Sequence, residues 1–153
     1  MSYSTKSKII KSTPQYKNDI FFGLSNEQKI LKFLNTEIPN QFKKYENQFS
    51  LFDIFSDTII GEIKTRRNSK DKYPTTMVGY NKMEVAEQNT NPLITYRFYF
   101  IFTDGTYYWD YKEDNYFINS GGRKDRGVAE IKQYCFIKKE DLILLTTSVK
   151  SIS

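Results

Sequence analysis

The chain has 153 residues, 39% hydrophobic and 16% aromatic, with 23 Lys and Arg against 18 Asp and Glu, a net charge of +5 and no histidine. The length suits a single hydrophobic core, and the lack of histidine removes His-based zinc sites, Ser-His-Asp and Cys-His catalysis together. Cys135 is alone, which excludes an intramolecular disulfide and fits a reducing compartment, and the basic balance favours a polyanionic partner such as nucleic acid.

In chain order, residues 1–17 read as a flexible basic N-terminal tail, too polar for a secretory signal. No apolar run approaches the ~18 residues of a membrane span, so the chain is expected to be intracellular, cytoplasmic or associated with nucleic acid, without a membrane partner. One domain is expected over 18–147 and a frayed C-terminus over 148–153. Gly23-Leu24-Ser25 opens a helix, with Ser25 and Gln28 spaced as a capping box and Ile30, Leu31, Phe33 and Leu34 as its apolar face. This helix is expected from about Asn26 to Glu37, with Pro39 beyond its end. Phe49–Phe55 and Thr58–Thr65 read as a β-hairpin around Ser56-Asp57. Arg66–Tyr73 is a charged loop, and Thr75–Gln88 reads as a second helix closed by the turn residues Asn89–Pro92. Leu93–Thr103 and Thr106–Tyr111 form an aromatic hairpin around Asp104-Gly105. Ser120-Gly121-Gly122 starts a flexible basic segment that runs to Gly127. Ala129–Ile137 reads as a last strand, Lys139–Leu145 as a short closing helix or strand, and the chain from Thr146 as a frayed tail. Helix, hairpin, helix and hairpin in this order imply an α/β layer with a mixed sheet.

The chemistry concentrates in Phe52-Asp53-Ile54-Phe55-Ser56-Asp57-Thr58-Ile59-Ile60-Gly61-Glu62-Ile63-Lys64-Thr65-Arg66. Two acids and a lysine interrupt strands that should otherwise be core. Glu62 and Lys64 share a face because strand side chains alternate. If Ser56-Asp57 is a two-residue turn, Phe55 pairs with Thr58 and Asp53 with Ile60. Asp53 then joins that face as a diagonal neighbour of Glu62, with backbones roughly 7–8 Å apart. A one-residue slip would turn Asp53 away. Convergent carboxylates can hold Mg2+ or Mn2+, hard ions that prefer oxygen. Such an ion, with a lysine beside it, is what phosphodiester cleavage needs to activate water and offset phosphate charge.

Asp53, followed by Gly61-Glu62-Ile63-Lys64-Thr65-Arg66 at the end of an apolar strand, resembles the PD-(D/E)XK, restriction-endonuclease-like nuclease superfamily. The resemblance covers roughly Ser25 to Asp110. It implies an α/β fold with a restriction-endonuclease-like core, a central mixed sheet flanked by helices in the order αβββαβ. It also implies divalent-metal-dependent cleavage of DNA or, less often, RNA. Asp53, Glu62 and Lys64 would be catalytic. Asp53, Glu62, Glu27 on the preceding helix and the backbone carbonyl of Ile63 would hold the metal, and Lys82 would be the polar residue on the following helix. Phe52 stands where the family pattern has proline, and the spacing from Asp53 to Glu62 is short.

Glu-x-Lys alone is unspecific: it recurs at Glu27-Gln28-Lys29 and Glu130-Ile131-Lys132, and this composition yields roughly three acid-x-base triplets by chance. The apolar strand, the upstream acid and the basic residues that follow give the motif its weight. Arg66, Arg67, Lys70 and Lys72 are placed for phosphate contacts, and Lys82 and the basic loop of Arg123, Lys124 and Arg126 extend that surface. The leading expectation is a metal-dependent nuclease with nucleic acid as partner, and a branched substrate would favour a homodimer. The alternative is a non-catalytic nucleic-acid-binding or assembly protein that retains the fold, such as a viral accessory factor.

Overall fold

The computed structural model describes residues 26–47, 50–123 and 130–152, with backbone only for 121–123 and 130–132. Helix α1 spans 26–34 and is followed by β1 (Lys43–Lys44), β2 (Ile54–Phe55) and β3 (Ile59–Thr65). Next come β4 (Thr75–Gly79), α2 (Tyr80–Glu87), β5 (Thr95–Phe102) and β6 (Gly105–Asp110). The chain ends with β7 (Phe117–Arg123), β8 (Glu130–Lys138) and β9 (Ile143–Thr146). A six-stranded sheet has the order β1-β2-β3-β5-β6-β9, and a three-stranded sheet has the order β4-β8-β7. In the larger sheet β3 and β5 are parallel and the other neighbours antiparallel, so it is mixed. One helix, a three-strand meander, a second helix and a strand parallel to β3 make the expected αβββαβ core, with β4 inserted before α2. No helix among the described residues is long and apolar enough to cross a membrane.

β5 shows how the layers form. Phe98, Phe100 and Phe102 alternate with Tyr99 and Ile101, and all five are buried. The phenylalanines pack with Met83 of α2, Val78 of β4, and Cys135 and Ile137 of β8. Tyr99 and Ile101 pack on the opposite face with Ile30 of α1, Ile54 and Ile63. Both faces of this central strand are covered, which is why it reads as an unbroken apolar run.

Several elements differ from expectation for identifiable reasons. The capping residue Ser25 lies outside the described residues. Helix α1 stops at 34 rather than near Glu37, because the Asn35 side chain takes up both backbone groups of Phe42. Its amide donates to Phe42 O at 3.0 Å and its carbonyl accepts from Phe42 N at 2.8 Å, which turns the chain back. The first half of the expected second helix is strand β4. Thr75, Thr76 and Val78 are β-branched, with Thr76 and Val78 buried and Met77 exposed between them. The helix begins only after Gly79. The β5–β6 turn is Thr103-Asp104 rather than Asp104-Gly105, since Phe102 pairs with Gly105. Gly105 already belongs to β6, where a Cβ would stand 3.2 Å from Thr146 O. Ser120-Gly121-Gly122, expected to be flexible, lies in β7 and is paired with β8. Cross-strand pairing outweighs the weak strand preference of glycine there.

The stretch expected to fray after Thr146 is pinned to the sheet. Buried Thr106 donates through Oγ1 to Val149 O at 2.7 Å, Ser151 N donates to Phe102 O at 2.9 Å, and Val149 and Ser151 are buried. The N-terminal tail of residues 1–17 lies outside the described residues.

Candidate active site

The turn joining β2 to β3 decides whether the acids meet. It holds three residues, Ser56 to Thr58, rather than two: Ser56 N donates to Ile59 O at 2.8 Å, and Ser56 Oγ accepts from Ile59 N at 3.1 Å. Phe55 therefore pairs with Ile60 and Ile54 with Gly61. This is a shift of two residues from the expected register, and an even shift preserves the face. Alternation breaks just upstream. Phe52 packs among the phenylalanines on the α2 side and Ile54 on the α1 side, and Asp53 turns between them.

Asp53 is held by three backbone links. Its N–H donates to Gly61 O at 2.9 Å, and its carbonyl accepts from Tyr45 N at 3.0 Å. Its carboxylate Oδ2 accepts from Ile63 N at 2.7 Å, standing in for the main-chain acceptor that a longer β2 would supply. The N–H and C=O of one strand residue point to the same edge. The Ile63 carbonyl is therefore directed to the edge where Asp53 sits.

Glu62 is 3% exposed and lies beside Phe98 on the α2 side of the sheet. Its Oε2 is 3.3 Å from Lys64 Nζ and 3.5 Å from Lys82 Nζ of α2. Its carboxyl is pushed up to about 8, first by burial and then by the like charge of Asp53. Lys64 and Lys82 oppose that rise, and a side-chain hydrogen bond to Asp53 adds to it. The two carboxyl groups thus lie against one another, with two ammonium groups beside Glu62. Lys82, expected as the polar residue of the following helix and on the nucleic-acid surface, reaches this carboxyl, with its ammonium 5.5 Å from the Phe52 ring centroid.

The remaining expected residues are placed as follows. Glu27 belongs to α1, which covers the opposite face of the sheet through Ile30. Among the described residues no group of three or more Asp, Glu, Cys or His could hold a metal, so Glu27 does not complete a cluster with Asp53 and Glu62. Arg66 is turned inward: its guanidinium donates to Met77 O and lies 5.9 Å from the Phe100 ring centroid. Burial lowers its pKa, with the Glu62 charge opposing. It ties the end of β3 to β4 rather than reaching for phosphate. Arg67 is exposed. Lys70 pairs with Asp71 at 3.6 Å and lies 5.2 Å from the Tyr107 ring centroid. The side chain of Arg123, and all of Lys124 and Arg126, lie outside the described residues. The lone Cys135 is buried and its thiol is pushed up to about 11, which leaves it inert as a nucleophile.

Sequence reasoning missed Lys44 and Tyr45. Burial lowers the pKa of Lys44 while the nearby Asp53 charge raises it, and Tyr45 is bonded to the Asp53 backbone. They sit at a strand of two residues, too short for any periodicity to reveal.

Compared with models of protein families, residues 13–142 match the family described as "Phage putative PDDEXK endonuclease". Searches of curated proteins and of solved structures each found no match. The matched span runs from before α1 into the turn ahead of β9, and so takes in Asp53, Glu62, Lys64 and Lys82. The chain belongs to the family that carries this description.

Proposed function

We propose that the chain is an intracellular, divalent-metal-dependent nuclease that hydrolyses phosphodiester bonds, DNA ahead of RNA, with Asp53, Glu62 and Lys64 carrying the reaction. The observation that supports this most is the burial of Glu62 against Asp53 with two lysines on one carboxylate oxygen. Crowding two acids in a poorly hydrated place costs stability, and such costs collect at functional sites.

The donors fit a hard dication. Asp53, Glu62 and the Ile63 carbonyl offer only oxygen, and Mg2+ or Mn2+ takes one or two carboxylates while keeping several waters. When bound, the ion supplies electrostatic activation of water and neutralisation of phosphate charge. Asp53 is held rigid by the Ile63 N–H, so the donor geometry is set before any ligand arrives. The Lys64 ammonium, oriented by Glu62, is placed to hold the attacking water and to offset charge growing on the phosphate. Lys82 approaches the same carboxylate from α2 and favours its ionised form.

The test is cleavage of labelled DNA and RNA, single- and double-stranded, with Mg2+, Mn2+ or EDTA. Wild type should cut only with metal, and Lys64→Ala should lose about 100-fold or more. Intact, salt-sensitive binding without cutting under any metal would replace this reading with a non-catalytic binding protein.

A further inference from the structure

A cleft of about 590 Å³ opens between α1 and the outer edge of β1, walled by Leu31, Phe42, Lys43, Lys44, Tyr45 and Phe55. Its β1 wall borders Asp53: Tyr45 N donates to Asp53 O, and Lys44 lies within electrostatic reach of the Asp53 carboxylate. Its size is that of a small-molecule or cofactor site, enough for one nucleotide and too little for a base-paired helix.

Beside the amides of Asn35 and Asn40 and one carboxylate, Glu46, the lining has aromatic rings and two lysines, which outnumber the acid. Tyr45 and Phe55 put their rings 4.6 Å apart between centroids, tilted by 41°, and both remain partly exposed. Lys43 stands exposed at the rim and Lys44 is half-buried beside it. Aromatic faces beside cations are how single strands are held without regard to sequence, bases on rings and phosphates on lysines. The wall is also rigid in advance, because Asn35 is bonded to both backbone groups of Phe42. A preformed wall lowers the ordering cost of binding.

We propose that this cleft binds one unpaired nucleotide of the strand being cut, next to the scissile phosphate, with its base on Tyr45 and Phe55 and its phosphate on Lys43. The inference rests on the nuclease reading for the identity of the strand. It adds that the substrate is single-stranded, or frayed, at the position beside Asp53. A continuous duplex would have to open one base to occupy the cleft.

The experiment measures binding apart from cutting. Fluorescence anisotropy in EDTA compares a labelled single-stranded oligodeoxynucleotide, a duplex with an unpaired overhang and a blunt duplex, for wild type, Lys43→Ala and Tyr45→Leu. Thermal melts confirm that the variants fold. Lys43 is exposed, and leucine keeps apolar contact with Phe55. Wild type should prefer the single strand and the overhang. Tyr45→Leu should weaken both by about fivefold or more while leaving the blunt duplex unchanged. Lys43→Ala should lower the salt slope for the single strand by about 0.7. Unchanged single-strand binding in both variants overturns the proposal, as does an equal loss on blunt duplex. If wild type cuts nothing under any metal yet single-strand binding depends on Tyr45, the cleft stands and the nuclease reading falls. If Lys64→Ala abolishes cutting while neither cleft variant alters binding, the nuclease stands and the cleft falls.

Discussion

Replacing Glu62 by Gln tests the electrostatics of the site without any substrate. The Glu62 carboxyl titrates at about 8 in the fold against an ordinary 4.5, because burial and Asp53 disfavour its charged form. A raised acid pKa means the folded state holds a proton that the unfolded state has released. The stability linked to this group is therefore full below about pH 4.5 and is lost as pH rises towards 8. At ~1.4 kcal/mol per pH unit, the loss across that window is on the order of 5 kcal/mol for a group so deeply buried. Glutamine keeps the shape and cannot ionise, so the variant should hold its stability where wild type declines. Urea melts of both proteins from pH 5 to pH 9, without metal, give the difference directly. The window is clean because the chain has no histidine to titrate within it. Wild type should fall below Glu62→Gln by several kcal/mol at pH 9 and approach it at pH 5. Divalent cations should recover much of the gap at high pH, since they select the ionised carboxylate. Parallel profiles for the two proteins would refute the raised carboxyl, and with it the view that burial and Asp53 outweigh Lys64 and Lys82.

Three further changes probe neighbouring parts of the argument. Lys82→Met removes a cation 3.5 Å from Glu62, so the Glu62 carboxyl rises further and the acid limb of the pH–rate profile moves upward; an unmoved limb would separate Lys82 from the site. Gly61→Ala would put a Cβ 3.0 Å from both Ile54 Cγ1 and Tyr99 Cε2, and urea denaturation should show a loss of about 1–3 kcal/mol. Thr106→Val removes the buried bond to Val149 O, costing about 1–2 kcal/mol and exposing the chain beyond Thr146 to limited proteolysis.

How much of this was legible depends on the range of the forces involved. The pairing of Glu62 with Lys64 follows from strand alternation, which is local. The return of Asp53 to the same face was legible as well, although the turn that delivers it was not. Ser56-Asp57 has the composition of a tight turn, yet the Ser56 hydroxyl caps Ile59 N, Thr58 joins the turn and the pairing register moves by two residues. Only the evenness of that change kept the face. What could not be read was non-local. Strand β4 has a local signal in Thr75, Thr76 and Val78, but its pairing with β8, some sixty residues later, is what the sequence does not show, and Lys82 reaches Glu62 only because α2 is seated on the phenylalanine layer. Glu27 matched the family pattern in sequence, but α1 delivers it to the other face of the sheet.

Asp53 shows why a site of this kind settles where a strand ends. Strand β2 begins only at Ile54, so Ile63 would have no main-chain acceptor on that side, and a buried N–H left unpaired costs about 1–3 kcal/mol. The Asp53 carboxylate satisfies it at 2.7 Å. The same bond removes the freedom of the carboxylate to swing away from Glu62. One side chain thus completes the ladder and fixes the spacing of the two acids, and the repulsion it imposes on Glu62 is tolerated because the ladder needs the acceptor. The break in alternation at Phe52 has a matching role: it keeps an aromatic ring under Lys82 while Asp53 takes the edge. Asp53 thus adds to the instability that burial gives Glu62 through the same bond that fixes the spacing of the two acids.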